Sequence, residues 1–66
     1  MNHKEAAIQI FDKMYKLYPN LSTEQCYHLA IISVYEYLKN LNNTTKTTEF
    51  YLEVIKILKN YEQSSI

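Results

Sequence analysis

Glycine, arginine and tryptophan are absent from this chain of 66 residues, and cysteine and proline occur once each. Each absence removes a class of answer. Without glycine there is no Gly-rich loop to bring backbone N–H groups against a phosphate, and tight hairpin turns lose their usual residue for positive φ. Without arginine the chain lacks the planar fork that most often reads guanine edges and phosphates. The single cysteine, Cys26, rules out an internal disulfide. With only His3 and His28 as further soft ligands, it also argues against a Cys-based structural zinc site, which needs four. No run approaches the ~18 apolar residues of a membrane span. The opening Met1-Asn2-His3-Lys4-Glu5 has no apolar stretch of the signal-peptide kind, so a cytoplasmic location is expected.

What is present is balanced and apolar. Seven lysines offset seven acidic residues for a formal net charge of zero, and 47% of the residues are hydrophobic. The charges are scattered, which leaves no electrostatic footprint for nucleic acid or an anionic membrane. Lysine, asparagine, isoleucine and tyrosine are abundant where glycine and arginine are missing, a bias expected of an A/T-rich genome such as that of a low-GC bacterium, a phage or a mobile element. A single domain this small buries only about 60% of the surface its unfolded chain exposes. Disulfides, a metal or oligomerisation usually supply the missing stability, and with the first two disfavoured, self-association is the expected staple.

Apolar spacing predicts an all-α fold, one helical domain over residues 1–66 with helices at about 4–18, 22–41 and 47–62 and a frayed tail at 63–66. Asn2 with Glu5 three residues on approximates a capping box, and Ser22-Thr23-Glu24-Gln25 is a Ser-x-x-Gln box. Pro19 forbids continuation of the first helix. Four threonines between Thr44 and Thr48 offer alternative caps for the third. The connections are short, so neighbouring helices should run antiparallel in an up-down-up bundle. Asn20, Asn42 and Asn43 begin Asn-x-Ser/Thr triplets that an Asn- and Thr-rich chain produces by chance.

The helix faces carry more apolar surface than one small core requires. On the second helix Cys26, Tyr27, Ala30, Ile31, Val34, Tyr37, Leu38 and Leu41 fall within an arc of about 140°, leaving Leu29 and Ile32 outside it and Tyr35 at its edge. On the first helix Ala7, Ile8, Phe11, Met14, Tyr15 and Tyr18 read as the core side, but the apolar arc approaches 200°, with Ala6, Ile10 and Leu17 as surplus. The third helix buries Phe50, Tyr51, Val54, Ile55, Ile57, Leu58 and Tyr61, with Leu52 alone among polar neighbours. Isolated exposed leucines are ordinary, so Leu52 alone does not decide between a plain surface residue and part of an interface. The combined surplus on the first two helices is read as a protein interface made of Ala6, Ile10, Leu17, Leu29, Ile32 and Tyr35. Among the tyrosines, Tyr35 is expected at the interface and Tyr27, Tyr37 and Tyr51 in the core.

No constellation carries catalysis. Cys26 and His28 point about 160° apart on a helix, so they share neither a ligand nor a proton. A metal site joining His3 and His28 through Glu5 or Glu24 falls short of the usual ligand convergence, and Glu49, Glu53 and Lys56 read as a solvated face. No cofactor, metal or small-molecule substrate is expected. The expected function is a small non-catalytic helical interaction module, a homodimer that inhibits or adapts a larger protein as an accessory or anti-defence factor. Two alternatives stand beside it. One is a minimal helix-turn-helix regulator, disfavoured because the outer side of the second helix offers only Lys39 to hold a phosphate; the other is a structural subunit of a larger complex.

Overall fold

The computed structural model describes residues 1–41 and 45–64, and these form three helices: α1 (His3–Leu17), α2 (Thr23–Lys39) and α3 (Thr45–Ser64). The termini of α1 and α2 follow local chemistry. The Asn2 side chain accepts the Glu5 N–H at 2.8 Å and so starts α1. At α2 the Ser22 hydroxyl accepts the Gln25 N–H at 3.1 Å, while the Gln25 side chain accepts the Ser22 N–H at 2.9 Å. This is the reciprocal box expected from the sequence, and a cap of this kind contributes about 1 kcal/mol. Tyr18 precedes the proline and leaves the helical region at φ −129° and ψ 71°, which closes α1. The α2 helix stops at Lys39, two residues before the expected end. Asn40 caps it by donating its side-chain amide to the Glu36 carbonyl at 3.0 Å.

The α3 helix continues through Ser64, whose hydroxyl donates to the Asn60 carbonyl at 3.0 Å, so Gln63 and Ser64 are helical where fraying is expected. The cap candidate Thr44, the triplets at Asn42 and Asn43, and tail residues 65 and 66 lie outside the described residues.

All three helix pairs are in contact. His3 stacks on Phe50 at the starts of α1 and α3, whereas Phe11 lies on Tyr27 and Tyr27 on Tyr61 near the other end. Tyr37 meets Tyr51, and His28 lies opposite Glu62. These pairs run α2 antiparallel to both neighbours, the up-down-up bundle the short connections imply.

The core is thin. Among the described residues, nine apolar side chains are buried: Ala6, Ala7, Cys26, Ala30, Ile31, Val34, Val54, Ile55 and Leu58. No aromatic residue is among them; Phe11, Tyr27 and Tyr61 sit half-buried toward one end of the core, and Phe50 and Tyr51 toward the other. The expected core faces of α2 and α3 agree with this packing except at Tyr37, which is exposed.

The expected face of α1 agrees only in part: Ala7 is fully buried and Phe11 and Met14 pack against the core, as expected, but the remaining positions differ. Ala6 is 4% exposed and Ile10 packs against the core, whereas Ile8, Tyr15 and Tyr18 are about half exposed. At 100° per residue the buried side is turned by roughly 65° from the expected one. Two causes act together. Alanines at the helix crossing allow close approach without a void, and turning them inward leaves the tyrosine hydroxyls of α1 in water, where they need no protein partner.

Candidate interaction surface

The rotation of α1 redistributes the six residues read as an interface. Ala6 belongs to the core and Ile10 is packed against it, so neither offers a contact surface. Leu29 is half-buried, and Leu17, Ile32 and Tyr35 are exposed. The exposed three do not form one patch. Phe11 is level with Tyr27, so Leu17 lies beyond one side of that pair and Tyr35 beyond the other, separated by roughly 20 Å along the bundle at 1.5 Å per residue.

Two other apolar surfaces take their place. The first is on α1, where Ile8, Phe11, Tyr15 and Tyr18 follow one another at spacings of three, four and three residues, the last being the helix cap. Three of the four are about half exposed, while Phe11 is half-buried and stacks on Tyr27 at 4.1 Å between ring centres. The spacing that marks this stripe is legible in the sequence, but there it reads as the core side.

The second surface runs along the outside of the α2–α3 seam. Lys59 of α3 sits 5.7 Å from the centre of the Tyr35 ring, which ties the two helices together on that side. His28 opposite Glu62 and Tyr37 opposite Tyr51 fix the register, and Leu52 is consequently level with the segment between Tyr35 and Lys39. Leu52, unremarkable as an isolated leucine, therefore joins Ile32 and Tyr35, and all three are exposed.

At the Glu62 end of the same seam, an open cleft of about 390 Å³ is lined by Leu21, Glu24, Gln25, His28, Leu29 and Glu62. The His28 ring nitrogen lies 3.2 Å from the Glu62 carboxylate there. Both partners reach solvent, so the pair ties α2 to α3 only weakly. Glu62 was not singled out in the sequence, because its partner is 34 residues away and no local spacing announces it.

The titratable groups have separate surroundings. Cys26 is fully buried, while His28 is exposed and turned to Glu62. His3 and His28 mark opposite ends of α3, twelve residues or about 18 Å apart along the axis through their partners Phe50 and Glu62. Among the described residues, no group of three or more His, Cys, Asp or Glu converges to hold a metal ion, and no helix is long and apolar enough to cross a membrane. Lys56 lies 3.8 Å from Glu53 on the solvated face of α3, and Asp12 and Lys16 pair at 3.0 Å on α1. Burial raises the Tyr27 hydroxyl above its ordinary pKa of 10.0, with a smaller contribution in the same direction from Tyr61 beside it. That hydroxyl stays protonated and neutral within the aromatic cluster.

Comparison of the chain with protein-family models, curated proteins and solved structures gives no match.

Proposed function

We propose that this chain is a small, non-catalytic helical module that works by protein–protein contact, as a homodimer that inhibits or adapts a larger protein. One observation carries the reading: α1 turns two alanines inward and leaves Ile8, Tyr15 and Tyr18 about half exposed in a continuous stripe. The three-four-three spacing of that stripe, with Phe11 beneath it, is the pattern of a helix that meets a second helix. Tyrosine is enriched where proteins touch, because its ring gives contact area and its hydroxyl tolerates the wet rim. The thin core supplies the motive, since burial of the stripe against a second copy adds apolar area that the single chain does not provide. The A/T-rich residue bias suits an accessory or anti-defence protein of a low-GC bacterium, phage or mobile element.

Size-exclusion chromatography with light scattering tests the homodimer. At roughly 100 µM the expected mass is about 16 kDa, twice the 7.9 kDa chain. Substituting both Ile8→Glu and Tyr15→Glu should return 7.9 kDa with the helical circular dichroism intact. A wild-type monomer at that concentration contradicts self-association.

A further inference from the structure

We draw no further inference here: the strongest candidate, the exposed apolar strip of Ile32, Tyr35 and Leu52 on the outer α2–α3 seam, has its lysines matched by Glu36, Glu49 and Glu53 at its edges, and nothing in the structure shows what covers it.

Discussion

The α1 and α3 helices run parallel through the same bundle but do different work. From α3, Val54, Ile55 and Leu58 enter the core, and Leu58 is its largest fully buried side chain; from α1 only Ala6 and Ala7 are fully enclosed. Buried area scales with side-chain size, so α3 supplies much of the apolar stabilisation while α1 closes the bundle with little volume. Of the larger side chains on this helix and its cap, Ile10, Phe11 and Met14 pack against the core, and Ile8, Tyr15, Leu17 and Tyr18 are left for the outside. A helix that commits alanines inward and tyrosines outward is suited to contact with something else.

The sharpest way to break this comparison is to truncate the α3 contribution. Leu58→Ala removes a fully buried side chain from a core with few others, and should cost about 2–5 kcal/mol by chemical denaturation, enough to unfold much of the population. A loss below 1 kcal/mol would show that α3 does not dominate the core.

Next in size is a pair of neighbouring substitutions on α1. Ala7→Leu should destabilise by about 1–3 kcal/mol, because position 7 has no room for three more carbons. Ile8→Ser in dilute solution should stay within about 0.5 kcal/mol of wild type, since position 8 faces water in the single chain. The opposite ranking would restore the wheel-centred face.

The smallest effect concerns the aromatic cluster at the Tyr27 end. The Tyr27 hydroxyl ionises above 10.0 in the fold, so the stability it contributes is complete below that pH and is lost as pH rises through the folded value. Tyr27→Phe should therefore flatten the alkaline decline in stability above pH 10, as read by denaturation at a series of pH values, while leaving the neutral region nearly level.

These contrasts also explain what the sequence could and could not disclose. The three helices, the Ser22–Gln25 box, the break at Pro19 and the antiparallel order rest on interactions within a few residues, and all are legible. The buried side of α2 is legible as well, because its apolar arc is narrow enough to have one orientation. On α1 the arc spans about half the wheel, and periodicity alone does not choose between turning Ala6 and Ile10 or Ile8 and Tyr15 inward. The choice depends on how closely α2 and α3 approach, which is a property of the packed bundle. Glu62 escaped notice for a related reason: its partner His28 is a residue on another helix.

The central claim is that the exposed stripe of α1 exists to be covered by a second copy. Thermal unfolding followed by circular dichroism over a hundredfold range of protein concentration tests it directly, because a dimer that folds with its interface melts at a temperature that rises with concentration. The account predicts a midpoint that climbs with concentration for the wild-type chain and stays level for the variant with Ile8→Glu and Tyr15→Glu. A wild-type midpoint that does not move across that range would contradict it.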